Sequence, residues 1–193
     1  MCLVYGVPVS SDERAKEQTN HEDPRLEYDV QSADWYAYTE NYGTSEEKKF
    51  VKYFASQIKD LRDKYEGAEI YLLRNELDYW LYSVKDGRRF SPDYMLIIND
   101  VKNGELYYQC LIEPKGGHII DKDAWKEESL VALSDDSEIV FDSEEGDSKK
   151  YKEYLKEMSK NGYKEIKNLG LVFYNTDPRT EEDFALDFQD KVL

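Results

Sequence analysis

The sequence predicts an α/β fold in which helices flank a central mixed β-sheet. Its hydrophobic pattern runs in the order amphipathic helix, several strands, helix and late strand, which suits a sheet covered by helices. At 193 residues the chain is long enough for one domain with its own core. Hydrophobic residues make up 40% of it and tyrosine occurs 17 times, which excludes a disordered chain despite a mean hydropathy of -0.82.

The first elements are an irregular segment and a long helix. Residues 10–41 are polar and acidic, and their hydrophobic residues follow no sustained period, which predicts an N-terminal arm or irregular cover over 1–43. From Thr44 onward, apolar side chains recur at spacings of three and four, which predicts an amphipathic helix over about 44–66. Its apolar stripe consists of Phe50, Tyr53, Phe54, Ile58, Leu61 and Tyr65.

Short apolar runs then predict the strands. Residues 68–74 and 81–84 are β-prone, and the second run ends at the turn pair Asp86-Gly87. Residues 93–98 and 105–113 are two longer apolar runs joined by a short polar loop, which predicts a hairpin.

The C-terminal half is predicted to complete the domain. Four segments follow the hairpin: a helix over 123–133, an acidic, Ser-rich loop over 134–147, a second amphipathic helix over 151–158 and a strand over 168–174. The folded domain is therefore predicted over 44–176, with a polar C-terminal tail over 177–193.

The hairpin has two possible registers, and they differ in what they bring together. If Lys102, Asn103 and Gly104 form the loop, Asp93 lies opposite Glu113, with Lys115 on the same face. A two-residue Asn-Gly turn would place Asp93 beside Pro114 instead. The first register also pairs the apolar residues and is preferred, although the sequence alone does not exclude the second.

Two opposed carboxylates repel one another, so a cation is expected between Asp93 and Glu113. Mg²⁺, with Mn²⁺ as a substitute, is usually held by one or two carboxylates together with water and phosphate oxygens. Lys115 would steady the attacking water or the charge that develops on a phosphate. The pattern therefore predicts a phosphodiesterase site in which Asp93 and Glu113 bind the metal.

The sequence around these residues resembles that of a known nuclease family. In order, the motifs are Leu73-Arg-Asn-Glu76, Asp86-Gly-Arg-Arg-Phe90, Pro92-Asp93, Ile112-Glu-Pro-Lys-Gly116 with His118, and Asp123-Ala-Trp-Lys-Glu127. Over about 44–174 they resemble the C-terminal PD-(D/E)xK endonuclease domain of the restriction subunit of type III restriction enzymes. The resemblance implies a restriction-endonuclease-like core and Mg²⁺-dependent cleavage of double-stranded DNA, with Asp93, Glu113 and Lys115 as catalytic residues.

The same resemblance implies partners. The chain has no Gly-x-x-x-x-Gly-Lys-Ser/Thr phosphate loop and is too short for a motor, so a helicase or translocase portion and a modification methyltransferase subunit would deliver the duplex. A net charge of -16 is opposite to the basic surface of a protein that holds DNA unaided. The alternative is a catalytically silent PD-(D/E)xK-like module whose acidic surface docks a partner protein.

Further candidates surround the triad. Glu47 matches the acidic residue that many such nucleases place near the metal, but Thr44-Ser-Glu-Glu47 also fits a capping box, and the sequence leaves the two roles equally open. Exposed arginines are more often solvated or paired than bound to DNA, and a lone histidine without a second ligand is typical of a loop. The substrate-binding candidates are Arg74, Arg88, Arg89 and His118.

The expected compartment is the cytoplasm, without a membrane partner. No apolar run approaches the length of a membrane span, and the first residues lack the basic region of a signal peptide. Cys2 and Cys110 show neither metal nor redox spacing, so a disulfide framework is not expected.

Overall fold

A computed structural model describes residues 26, 28–38, 41, 43–75, 81–83, 86–100, 106–117, 120–135, 160 and 165–193. In chain order its elements are helix α1 (Ser45–Lys64), strands β1 (Glu69–Arg74), β2 (Leu81–Tyr82), β3 (Arg89–Phe90), β4 (Tyr94–Asp100) and β5 (Leu106–Ile112), helix α2 (Ile120–Asp135), strand β6 (Glu165–Gly170) and helix α3 (Pro178–Lys191).

The main sheet has four strands in the order β1-β4-β5-β6. β1, β4 and β5 pair antiparallel, whereas β5 and β6 pair parallel and are separated in the chain by α2. β2 and β3 form a separate two-stranded sheet. The predicted α/β class with a mixed sheet is therefore confirmed.

The hairpin adopts the preferred register. Met95 lies opposite Leu111 and Tyr94 lies opposite Ile112, so the next step of the ladder brings Asp93 to Glu113. This is the register that a three-residue loop predicts, and not the one that a two-residue Asn-Gly turn predicts. The loop itself, over 101–105, lies outside the described residues.

Both faces of the sheet are covered. Alternate side chains of β4 point to opposite faces, and each set packs against a different cluster. Tyr94, Leu96 and Ile98 belong to the larger core cluster with residues of α1 and α3. Met95 packs against a smaller cluster that contains Leu130 of α2. The larger cluster also includes Cys110, whose thiol is free and buried.

Helix α1 forms where the spacing predicts it. Thr44 is its N-cap, Tyr65 is its C-cap, and the stripe side chains Phe50, Phe54 and Leu61 are fully buried. The irregular segment before it lies along β1: Leu72 N donates to Trp35 O at 2.7 Å, and Tyr36 forms a parallel bridge with Leu72.

The prediction of a polar C-terminal tail over 177–193 is wrong. Asp177 caps helix α3, and Phe184, Phe188 and Val192 are fully buried in the larger core cluster. Their spacing of four residues places them on one narrow face. The remaining faces carry many acidic residues, so the composition of the segment is polar and does not indicate a buried helix.

The last strand is displaced from its predicted bounds of 168–174. β6 ends at Gly170, after which Leu171, Phe173 and Tyr174 are buried and Tyr174 forms an isolated parallel bridge with Pro114. A Cβ on Gly170 would lie 2.1 Å from the Leu130 carbonyl oxygen of α2. The glycine therefore allows helix and strand to approach closely.

Other predicted segments are only partly described. The helix predicted over 123–133 is present and longer, since α2 spans Ile120–Asp135. The helix over 151–158 lies outside the described residues, as does nearly all of the acidic loop over 134–147. In the described ranges, no helix has both the length and the apolar character that crossing a membrane requires.

Candidate active site

The ends of β4 and β5 bring the predicted triad together. Asp93 directly precedes β4 and Glu113 directly follows β5. The Asp93 amide donates to Glu113 Oε2 at 2.9 Å, and Lys115 Nζ lies 2.7 Å from Glu113 Oε1. Glu113 is only 1% exposed, so this contact forms inside the protein.

Asn75 holds the Pro92-Asp93 segment in place. Its backbone amide donates to Asp93 O at 2.8 Å, and its side-chain amide donates to Pro92 O at 3.0 Å and to the Ser91 hydroxyl. Asn75, which directly follows β1, thus fixes the backbone of Pro92 and Asp93. Asn75 lies in the Leu73–Glu76 motif, but the sequence analysis assigned it no role.

The segment after β6 holds the other side of the site. Lys115 N donates to Tyr174 O at 2.8 Å, Tyr174 N donates to Glu113 O at 3.3 Å, and Asn175 donates from its side chain to Lys115 O. These bonds keep Glu113–Lys115 extended, which places the two side chains on one face.

Helix α2 adds two charged residues that the sequence analysis did not assign to the site. Asp123 Oδ2 lies 3.2 Å from Lys115 Nζ and 2.9 Å from Lys126 Nζ, and Lys126 Nζ lies 3.7 Å from Glu113 Oε1. The available signal was their opposite charge at a spacing of three on a predicted helix. That spacing shows that the two residues meet, but not what else they touch.

Glu47 performs the capping role and also contacts the edge of the site. Thr44 and Glu47 form a complete capping box, with Thr44 N donating to Glu47 Oε2 at 3.0 Å. Arg74 Nη2 lies 3.2 Å from the same oxygen. Gly43, at φ 142°, leaves room for this pair, because a Cβ there would lie 2.1 Å from Glu47 Oε2.

The electrostatics of the cluster disfavour the charged form of Asp93. Burial raises the pKa of Asp93 well above its ordinary value, and the charges of Glu113 and Glu47 raise it further. Lys115 and Arg74 lower it by a smaller amount. The cluster is therefore short of positive charge at the Asp93 carboxyl.

Lys115 stays charged. Burial by itself lowers the pKa of this ammonium, but the charge and hydrogen bond of Glu113, together with Asp93 and Asp123, outweigh burial and raise the pKa above its ordinary value. Lys115 is therefore a hydrogen-bond donor and a fixed positive charge near neutral pH, and not a proton acceptor.

The residues present fit a hydrated divalent cation. Asp93 and Glu113 supply two neighbouring carboxylates, and each carboxylate oxygen can accept more than one bond, so the contacts of Glu113 do not exhaust it. Within the described ranges no three His, Cys, Asp or Glu side chains form a metal-binding group, so water and phosphate oxygens would complete the coordination.

Among the substrate-binding candidates that the structure describes, Arg74 and Arg88 each form an ion pair away from the Asp93–Glu113–Lys115 contacts. Arg74 pairs with Glu47 and its side chain is 14% exposed. Arg88 lies 2.6 Å from Asp86 and stacks over Trp125 at 4.1 Å, and it lowers the pKa of Asp86 to about 2 through its hydrogen bonds. Arg89 is exposed on β3, and His118 lies outside the described residues.

Comparison with known proteins gives a family. A family model described as the C-terminal domain HI_1054_C matches residues 15–164, which is well over half of the chain. The chain belongs to the HI_1054_C family. A protein of Haemophilus influenzae, named only as uncharacterized, is 36% identical over 108 residues; the match covers 52% of this chain and 23% of that protein. No solved structure matches.

The family match includes the charged cluster. Asp93, Glu113, Lys115, Asp123 and Lys126 all lie within residues 15–164. β6 and α3, together with the Tyr174 and Asn175 contacts that hold Lys115, lie beyond the matched range.

Proposed function

We propose that this domain is a metal-dependent endonuclease that hydrolyses DNA phosphodiester bonds, as the cleavage module of a type III restriction-modification system. The observation that carries the proposal is the meeting of Asp93, Glu113 and Lys115 at one end of the sheet. Glu113 there accepts from the Asp93 amide at 2.9 Å and lies 2.7 Å from Lys115 Nζ.

The order of elements supports a restriction-endonuclease-like core. α1, the three antiparallel strands β1, β4 and β5, α2 and β6 follow the order helix, three strands, helix and strand that the resemblance implies. On this proposal the small β2-β3 sheet is an insertion between the first two core strands.

Asp93 and Glu113 would hold Mg²⁺, or Mn²⁺ in its place. The chemistry that such an ion supplies when bound is neutralisation of phosphate charge and a lower pKa for a coordinated water. Lys115, which keeps its proton because its pKa is raised, would orient the attacking water or donate to the phosphate oxygens. The proton of the attacking water must therefore go to a group other than Lys115.

The charge balance supports a role inside a larger assembly. Phosphate affinity comes from cations that are free to replace counterions, and the chain carries a net charge of -16. Arg74, Lys115 and Lys126 all make ion pairs with acidic residues of the domain. A helicase or translocase portion and a modification methyltransferase subunit would therefore bring double-stranded DNA to the site. In the Haemophilus protein the matching region is 23% of the length, which is compatible with further domains.

A silent interaction module is the second candidate. It is favoured by the acidic charge and by the way both oxygens of Glu113 are already engaged within the protein. On this alternative the triad is a structural ion network, and the acidic surface docks a protein partner.

Plasmid nicking and metal binding distinguish the two. We expect weak nicking of supercoiled plasmid with Mg²⁺ or Mn²⁺ at low salt, abolished in Lys115→Ala and retained in the matched control Lys122→Ala, since Lys122 is exposed on α2. We also expect Mn²⁺ binding by titration calorimetry that Lys115→Ala preserves and Asp93→Asn removes. A wild-type chain that neither binds Mn²⁺ nor nicks DNA would support the silent module.

A further inference from the structure

We infer that Asp123 is a positioning residue for the Lys115 ammonium, with Lys126 as its balancing cation. The inference deepens the proposed function, on which its catalytic meaning rests. It concerns a closed ring of alternating charges formed by Glu113, Lys115, Asp123 and Lys126.

The ring joins two parts of the fold. Lys115 Nζ lies between Glu113 Oε1 at 2.7 Å, after β5, and Asp123 Oδ2 at 3.2 Å, on α2. An ammonium with one acceptor moves with that acceptor, whereas two acceptors on separate elements fix its position. Asp123 therefore helps to fix the position of Lys115 Nζ beside Glu113 Oε1.

The side chains are shielded enough for these contacts to matter. Glu113 and Lys115 side chains are 2% and 11% exposed, and those of Asp123 and Lys126 are 23% and 20% exposed. Contacts in such surroundings are screened less by water and salt than surface pairs. The ring should therefore persist at physiological ionic strength.

Lys126 is placed to balance Asp123 more than Glu113. Its Nζ is 2.9 Å from Asp123 Oδ2 but 3.7 Å from Glu113 Oε1. Hydrogen bonds from Lys126 and Lys115 outweigh the effect of partial burial and lower the pKa of Asp123, so this carboxylate stays ionised near neutral pH. Lys126 thus neutralises the charge of Asp123 and makes only a longer contact with Glu113.

Helix α2, which carries Asp123, is held in place by contacts on either side of it in the fold. Glu127 accepts from the Phe173 amide at 2.7 Å, and Trp125 packs edge-on against Phe90 at 5.5 Å. The same C-terminal segment that holds the Lys115 backbone therefore also holds the helix that positions its side chain. Asp123 can act on Lys115 with little movement of either backbone.

The positioning role can be tested without metal or DNA. In the full chain labelled with ¹⁵N-lysine, a slowly exchanging Lys115 ammonium signal is expected at low temperature and is assigned by its loss in Lys115→Ala. Asp123→Asn should shift the signal or broaden it away, whereas Asp121→Asn, an exposed acid on the same helix, should leave it unchanged. An unchanged signal in Asp123→Asn would overturn the inference.

Mn²⁺ affinity gives a second test with opposite signs. Without Asp123 both lysines turn to Glu113, so Asp123→Asn should weaken Mn²⁺ binding by about 10-fold or more, as loss of supporting groups around metal ligands commonly does. Lys126→Met should strengthen it, and Asp121→Asn should not change it. Equal affinities in all three variants would contradict the ring.

The two tests separate the two levels of interpretation. If the Lys115 signal depends on Asp123 but the chain binds no Mn²⁺, the positioning role of Asp123 is supported and the nuclease site is contradicted. Mn²⁺ binding that depends on Asp93, with a Lys115 signal indifferent to Asp123, would retain the nuclease site and reject the positioning role.

Discussion

Two neighbouring steps of the β4–β5 ladder have opposite character. Met95 and Leu111 form an apolar pair, and Met95 packs beside a cluster that includes Leu111. Two residues further out, Asp93 and Glu113 bring two acids together. Apolar pairs stabilise a sheet and like charges destabilise it. Departures from local rules of this kind concentrate at functional sites.

The same contrast appears within the first half of helix α1. Along its length Phe50 and Phe54 pack among aromatic rings of β4 and α3, with centroid separations of 5.1 to 6.5 Å. At its first turn the helix presents Glu47 to Arg74 and to the charged cluster. Aromatic packing therefore stabilises the fold directly beside a cluster of like charges that destabilises it.

The largest expected effect is in the aromatic region. Phe184→Ala removes a fully buried ring on α3 and should lower the free energy of unfolding by about 3–5 kcal/mol, measured by urea denaturation. Leu186→Ala, at a position 63% exposed on the same helix, is the control and should be nearly neutral. Similar small losses in both variants would mean that α3 does not belong to the core.

A close backbone approach should give the next largest effect. Gly170→Ala places a Cβ against the Leu130 carbonyl, and moving backbone to accommodate it should cost about 1–3 kcal/mol in urea denaturation. Gly117→Ala, whose Cβ would meet only the Asn175 side-chain nitrogen at 4.0 Å, is the matched control. A neutral Gly170→Ala would contradict the packing of α2 on β6.

Glu47→Gln should show whether the first turn of α1 belongs to the site or only to the helix. The glutamine amide oxygen can still accept from the Thr44 amide, so the expected cost of about 0.3–1 kcal/mol comes from loss of the negative charge beside Arg74 and in the first turn of the helix. Thr44→Ala removes the cap while leaving that charge in place, and it serves as the comparison. Nicking that falls in Glu47→Gln but not in Thr44→Ala would assign Glu47 to the site; nicking unchanged in both would leave it a cap.

The smallest expected effect has the opposite sign. In EDTA, at a pH where Asp93 is ionised, Asp93→Asn should raise the melting temperature, since it removes a like-charge contact worth about 0.2–1 kcal/mol. The pKa of Asp93 is raised in the fold, so its neutral form is the favoured one. The wild type should therefore lose stability relative to the variant as the pH rises from about 4 through the raised pKa.

Metal should reverse that order. A divalent ion at 100 times its Kd adds about 2.7 kcal/mol to a protein that binds it only when folded, a contribution that Asp93→Asn largely lacks. Scanning fluorimetry of both proteins, in EDTA and in Mn²⁺, gives the four melting temperatures. A variant that is destabilised in EDTA, with equal metal shifts in both proteins, would mean that Asp93 and Glu113 share no ion.

Local pattern predicted α1 and favoured the hairpin register that brings Asp93, Glu113 and Lys115 together, because both depend on spacing within a short stretch of chain. It left a second register open, since two loop lengths fit the same residues. The Asp123–Lys126 contacts were not predicted, since they depend on where α2 docks against the sheet. Helix α3 was missed for a different reason: Phe184 and Phe188 form a narrow stripe among many acids, and only tertiary packing distinguishes it from a polar tail.

Cys110 lies on β5, the strand that leads to Glu113, and chemical labelling of its thiol can report local opening of that strand. Its thiol is free and fully buried, and burial raises its pKa, so a thiol reagent can reach it only when β5 separates from its neighbours. The labelling rate then measures the small population of opened molecules. An ion held by Asp93 and Glu113 would join β4 to β5 three residues away and slow that labelling, which makes metal occupancy readable without DNA or turnover.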